Sequence, residues 1–257
     1  MTNPTQPARR ILAGLACVAL ITCVAFSRSG NGRKAEGGVA PSGSPVPGMA
    51  LWLKADNGPS CGEACSSSTR VMSWTDQSGN ENNATTTSGS PAYIANEVNG
   101  LPAINNAGQL TLASKISWTG QITVFAEFAE SRPASNEIIS GTGPAPFAFR
   151  TNSRHQEALV PSIADLLTGS ATLNAGQFYQ GNVTYNNSTG AVSLRIGEAP
   201  DGSGTSVQKV GSGNNVIFQL HDAGDTLDLA ELIVYTSVLS SANITANENY
   251  LRGKYGN

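Results

Sequence analysis

The chain is poor in charge. Only 13% of its 257 residues are Asp, Glu, Lys or Arg, and the formal net charge is −3. It carries 15 basic against 18 acidic residues, with no basic stripe. A nucleic-acid surface needs clustered Lys and Arg, so that class is set aside. Histidine is scarcer still, with two in the chain, His155 and His221. His155 lies in a polar SRHQE stretch and reads as solvated. His221-Asp222 sits in a turn-like HDAGD stretch, and no G-x-S-x-G elbow supplies a presented serine. Aromatic residues make up 6%, too few for a broad stacking platform. There are no repeats and no heptads.

One apolar run is long enough to matter. Ile11 to Phe26 is unbroken and follows Arg9-Arg10. It falls short of the roughly 20 residues that cross a bilayer, and a basic start followed by such a run reads as a secretory signal over residues 1–26. Rival readings are a lipoprotein signal at Cys23, a twin-arginine signal and an uncleaved anchor. Removing residues 1–25 leaves 13 basic against 18 acidic residues, a balance of −5. Residues 27–48 are rich in Gly, Ser and Pro with almost no large apolar side chain, the composition of a flexible linker. Folded structure is expected over 49–257. The chain is therefore expected outside the cytoplasm, secreted or at the cell surface, with no membrane span unless the signal is retained or lipidated.

Cysteine use agrees. Cys17 and Cys23 fall in the apolar leader, which leaves Cys61 and Cys65 as C-G-E-A-C. In an oxidising compartment a local disulfide is the default. Two cysteines without a nearby histidine make a poor zinc site.

From Met49 onward the pattern alternates with period two, broken by Gly, Asn and Pro. Val192, Leu194 and Ile196 share a face, and Gln177 to Tyr185 is the expected hairpin partner across Asn186 to Gly190. Gln121 to Ala129 and Leu227 to Tyr235 are apolar on both faces and belong between covering layers. Shorter strands are expected at Ala50–Lys54, Val71–Thr75, Ala103–Asn105, Phe147–Thr151 and Val216–Leu220. Ser240 or Ser241 can cap a helix over Ser241–Lys254, with Ile244, Asn247 or Glu248, Leu251 and Tyr255 on one face. The expected fold is all-β: a two-sheet antiparallel jelly-roll sandwich with a short C-terminal helix.

Four stretches carry a family resemblance. They are Leu51-Trp52-Leu53-Lys54-Ala55-Asp56; Val71 to Thr85, with its W-x-D-x-S-G-N core; Asn99-Gly100-Leu101-Pro102-Ala103-Ile104; and Asp228 to Gly256, with its D-L-A-E strand and Y-L-x-x-K-Y-G helix. Together they resemble the concanavalin A-like lectin/glucanase superfamily, and within it the bacterial laminin-G-like jelly-roll domains. That resemblance implies a curved sheet with a concave surface. It also implies functions that range from carbohydrate binding and adhesion to glycoside cleavage.

Retaining glycosidases need two carboxylates about 5 Å apart, and no E-x-D-x-x-E run is present. Asp228 and Glu231, three apart, are expected on opposite strand faces, as are Glu127 and Glu130. Glu231 is expected to share a face with Leu227, Leu229, Ile233 and Tyr235, either as an acid of raised pKa or as a structural acid. Asp76, Asn80 and Asn82 form an oxygen-rich loop, a candidate Ca²⁺ site or a self-capping Asx loop. Asp222, Asp225 and Asp228 are a second candidate. For sugar stacking the candidates are Trp118, read as exposed, with Tyr93, Tyr179 and Tyr185; Trp52 and Trp74 read as core. The leading expectation is a non-catalytic domain that binds a glycan or another cell-surface component. A divergent polysaccharide hydrolase or lyase and a protein-binding adhesion module are the alternatives.

Overall fold

The computed structural model describes residues 43–105, 107–114, 116–118, 120–132, 134–142, 147–159, 166–206, 215–220 and 227–257. The expected signal, most of the linker, and His221, Asp222 and Asp225 lie outside them.

In chain order the strands are β1 (Leu51–Lys54), β2 (Pro59–Ser60), β3 (Thr69–Arg70), β4 (Ser73–Trp74), β5 (Ala84–Gly89), β6 (Ala92–Val98), β7 (Leu101–Asn105), β8 (Gly108–Leu112), β9 (Ile116–Ser117) and β10 (Gln121–Glu130). There follow β11 (Asn136–Thr142), β12 (Ala148–Asn152), β13 (His155–Leu159), β14 (Leu166–Thr168), β15 (Tyr179–Asn186), β16 (Ala191–Ile196), β17 (Ala199–Thr205), β18 (Asn215–Leu220) and β19 (Leu227–Tyr235). Helix α1 spans Ser241–Tyr255. All pairings are antiparallel, in two sheets. Sheet A runs β17-β16-β15-β10-β19-β7-β6-β3, with β1 also on β19. Sheet B runs β14-β13-β12-β11-β18-β8-β5-β4-β2, with β9 also on β18. This is the expected all-β sandwich with one C-terminal helix.

Alternation builds the core. Ile122, Val124, Ala126 and Phe128 of β10 and Leu227, Leu229, Leu232 and Val234 of β19 face sheet B. There they meet Trp74, Leu110, Leu112, Phe147, Phe149 and Ala158. The doubly apolar strands need a second cover, and α1 supplies it. Phe125, Ile233 and Tyr235 on the outer face of sheet A pack with Leu251 and Tyr255 of the helix. The helix is capped as its sequence requires. The Ser240 side chain accepts from the Asn243 N–H, and Gly256 takes the left-handed conformation (φ 83°) at the C-terminus.

The expected β15–β16 hairpin forms, with Tyr185 opposite Val192 and Val183 opposite Leu194. One register differs from simple alternation. Glu127 pairs with Glu231 but Phe128 pairs with Leu229, so Ala230 is an extra residue in β19. A one-residue bulge flips everything beyond it. Leu227 and Leu229 therefore point inward, while Glu231, Ile233 and Tyr235 point out under the helix. The expectation that Glu231 shares a face with Leu227 and Leu229 is corrected. So is the opposition of Asp228 and Glu231, which both lie on the outer face.

Candidate binding surface

Glu231 is fully buried, and four side chains donate to it. Its Oε1 accepts from Trp52 Nε1 at 2.5 Å and Tyr250 OH at 2.9 Å. Its Oε2 accepts from Lys254 Nζ at 2.7 Å and Tyr255 OH at 2.8 Å. Burial, followed by the Glu231 charge, raises the pKa of both tyrosines. A carboxylate so held is a fastener between β19, β1 and α1, with no lone pair turned to solvent. Trp52, expected in the core, lies instead half-buried on the outer side of sheet A, edge-on to Tyr250.

The neighbouring acid differs. Glu127 is fully buried, opposite Glu231 across the β10–β19 pairing. One oxygen accepts from Asn257 Nδ2 at 2.5 Å, and the other has no partner. Burial pushes its pKa up to about 8, with the Glu231 charge adding to the rise. Glu130 points to the opposite face, as expected, and burial raises its pKa as well.

The Asp76 loop is closed on itself. Asp76 Oδ1 accepts from the backbone N–H groups of Trp52 and Ser78, each at 2.9 Å. Its Oδ2 accepts from Ser78 Oγ at 2.7 Å and the Asn82 N–H at 3.0 Å. Asn80 and Asn82 donate to the carbonyls of Met49 and Ala50. This is the self-capping alternative. The carboxylate that a cation would need is already saturated by protein donors, so the residues do not fit a Ca²⁺ site. Among the described residues no group of three or more His, Cys, Asp or Glu side chains could hold a metal. Cys61 and Cys65 are joined in the expected disulfide.

Of the aromatic candidates, Trp118 is 1% exposed, with its ring against Phe147 and Tyr185. Tyr185 is 0% exposed. Both are core residues, which corrects their reading as surface platforms: the loop carrying Trp118 folds its ring between the sheets. Tyr93 and Tyr179 are half-buried against the same core. The Tyr179 hydroxyl accepts from the Asn174 N–H. His155 is not free in solvent: it opens β13, with Nδ1 at 2.8 Å from the Ala171 carbonyl.

On the outer face of sheet B, Thr111, Thr85, Ser73 and Ser60 are half-buried or exposed and stand in register across β8, β5, β4 and β2. At about 4.8 Å between strands the row is roughly 14 Å long. Thr87 bridges to Thr111 at 3.0 Å and Gln109 at 3.3 Å. Beside this row Glu137, Arg150, Glu157 and Thr168 are in register across β11 to β14. Arg150 Nε donates to Glu157 Oε2 at 3.0 Å, and Ser140 Oγ donates to Glu137 at 2.7 Å. The face thus offers a run of hydroxyls at its β8–β2 end, and beside it the half-buried guanidinium of Arg150 held by the buried Glu157. Sequence reasoning missed it because Thr-Thr-Thr-Ser in β5 has no apolar alternation to mark a strand.

No family model and no curated protein match this chain. Solved structures do. The binding domain of Paraclostridial Mosquitocidal Protein 1 is 12% identical with a TM-score of 0.58, and 79% of this chain covers 52% of it. Domain 4 of AbnA, a GH43 extracellular arabinanase from Geobacillus stearothermophilus, solved with arabinotriose, is 18% identical with a TM-score of 0.59; 79% of this chain covers 98% of it. Trypanosoma rangeli sialidase, solved with sialic acid, is 13% identical with a TM-score of 0.55, and 82% of this chain covers 34% of it. The chain spans about half the toxin chain and about a third of the sialidase, but nearly the whole arabinanase domain. At these identities the likeness establishes the β-sandwich fold.

Proposed function

We propose that this chain is an exported, non-catalytic carbohydrate-binding domain of the concanavalin A-like lectin/glucanase superfamily, of the bacterial laminin-G-like type. In this reading an extended glycan lies across the outer face of sheet B. The observation that carries it is the in-register row Thr111, Thr85, Ser73 and Ser60, a run of hydroxyls on the sheet face opposite the one that α1 covers. Hydroxyls and amides both donate and accept, which suits sugar hydroxyls. The arabinotriose complex of the arabinanase domain, which matches this chain over almost its full length, supports the same reading. Export is supported by the leader-like residues 1–26 and by the Cys61–Cys65 disulfide.

The test is a glycan array probed with the purified chain, with Ca²⁺ and again with a chelator. A hit in both conditions that is lost in Arg150→Ala and Thr111→Ala supports the reading. A blank array in both conditions overturns it in favour of a protein-binding adhesion module.

A further inference from the structure

A cleft of about 270 Å³ lies on the other side of the sandwich, between the end of β1 and helix α1. Lys54, Asp56, Asn249, Tyr250, Gly253 and Lys254 line it, with Gly43. Its charges balance. Lys254 is held between Asp56 at 3.0 Å and Glu231 at 2.7 Å. Lys54 makes no ion pair among the described residues, and its ammonium lies 4.9 Å from the Trp52 ring centroid. With two cations against two carboxylates, the cleft suits a neutral hydrogen-bonding ligand better than an ion.

The groups on its wall are the ones a sugar needs. Tyr250 is a pre-set aromatic wall, because its hydroxyl is bound by Glu231 and its ring is edge-on to Trp52. A ring already fixed loses little entropy on binding. One Asp56 oxygen is taken by Lys254. The carboxylate still has acceptor capacity, and Lys54 brings donors. The Asn249 Oδ1 accepts from Arg252, so its side-chain N–H groups remain to donate. Gly253 sits inside the helix, and a Cβ built on it meets nothing within 4 Å. Packing does not require glycine there, and helix propensity disfavours it. Its effect is a bare backbone wall on the cleft. The size falls just below that of drug-sized pockets, which leaves room for a mono- or disaccharide.

We propose that this cleft is a second carbohydrate subsite, taking a neutral sugar ring against Tyr250 with vicinal hydroxyls bonded to Asp56, Lys54 and Asn249. Its ligand class rests on the reading of the domain as a glycan binder; its location, opposite the sheet B face, does not.

The test is an NMR titration of the ¹⁵N-labelled full chain with glucose, galactose, mannose, arabinose, N-acetylglucosamine, cellobiose and lactose. At least one sugar should shift the amides of Asn249, Gly253 and Lys254, whether or not those of Thr111 and Arg150 also move. Gly253→Leu fills the cleft and improves helix propensity, so it should keep or raise the Tm while weakening binding by roughly tenfold or more. Lys54→Met should weaken it without moving the Tm. Helix amides that stay still with every sugar, or shifts that persist in Gly253→Leu, overturn the subsite. If the sheet B amides alone move, the subsite fails and the sheet B reading stands. If the helix amides alone move and the glycan array is blank, the subsite stands and the sheet B reading fails.

Discussion

Glu231 on β19 and Lys254 on α1 pair at 2.7 Å, and Lys254 reaches on to Asp56 at the end of β1. Around that pair the family-like stretches converge. Leu51 to Asp56 brings Trp52 and Asp56, and Asp228 to Gly256 brings Glu231, Tyr250 and Tyr255. Asn99 of the Asn-Gly turn donates to the Lys254 carbonyl at 3.0 Å. Asp76 holds the Trp52 backbone from the far side of β1. The residues that carry the resemblance are largely the ones that lock the helix onto sheet A.

That arrangement makes Glu231 expensive to remove. Glu231→Ala takes the acceptor from an indole N–H and two phenols and leaves the part-buried Lys254 ammonium with Asp56 alone. It should lower stability by roughly 3–5 kcal/mol, read from urea denaturation. A loss below about 1 kcal/mol would contradict the fastener role.

Glu127 sets a pH dependence. Its pKa rises from 4.5 to about 8 on folding, so the folded chain keeps a proton that the unfolded chain releases. Between those values the folded state binds more protons, and stability falls as pH rises through the window. Glu127→Gln keeps an acceptor for Asn257 without the charge. Its Tm should match wild type near pH 4.5 and exceed it by a widening margin up to about pH 8. Parallel Tm profiles for the two proteins would refute this.

Asp76 should behave as a structural acid. Asp76→Ala leaves three backbone N–H groups and a hydroxyl without their acceptor, and should cost about 2–3 kcal/mol. Millimolar Ca²⁺ should leave the wild-type Tm unchanged, since four donors already occupy the carboxylate. A Ca²⁺-dependent rise of several degrees would reopen the metal reading.

The disulfide joins residues four apart in sequence. Loop-closure entropy for so short a ring is worth about 2 kcal/mol at most. Cys61→Ser with Cys65→Ser should therefore fold, with a Tm only a few degrees lower. Failure to fold would mean that the loop carries more of the structure than its contacts suggest.

Alternation and turn chemistry were enough to place β10, β19, the β15–β16 hairpin and α1, because each is set by side chains within one element. The sequence alone also determined the class, an all-β sandwich, and the pairing of Cys61 with Cys65, which are too close in the chain to need a fold to bring them together. The tertiary structure decided the rest. The extra residue Ala230 turns Glu231 outward, and no local pattern announces a bulge that only the register with β10 defines. Trp118 is polar in its neighbours but buried between Phe147 and Tyr185, both distant in sequence. The hydroxyl row on sheet B exists because four strands scattered from Ser60 to Thr111 line up their residues. A surface built from that many separate segments is a property of strand order, and strand order is decided by long-range pairing.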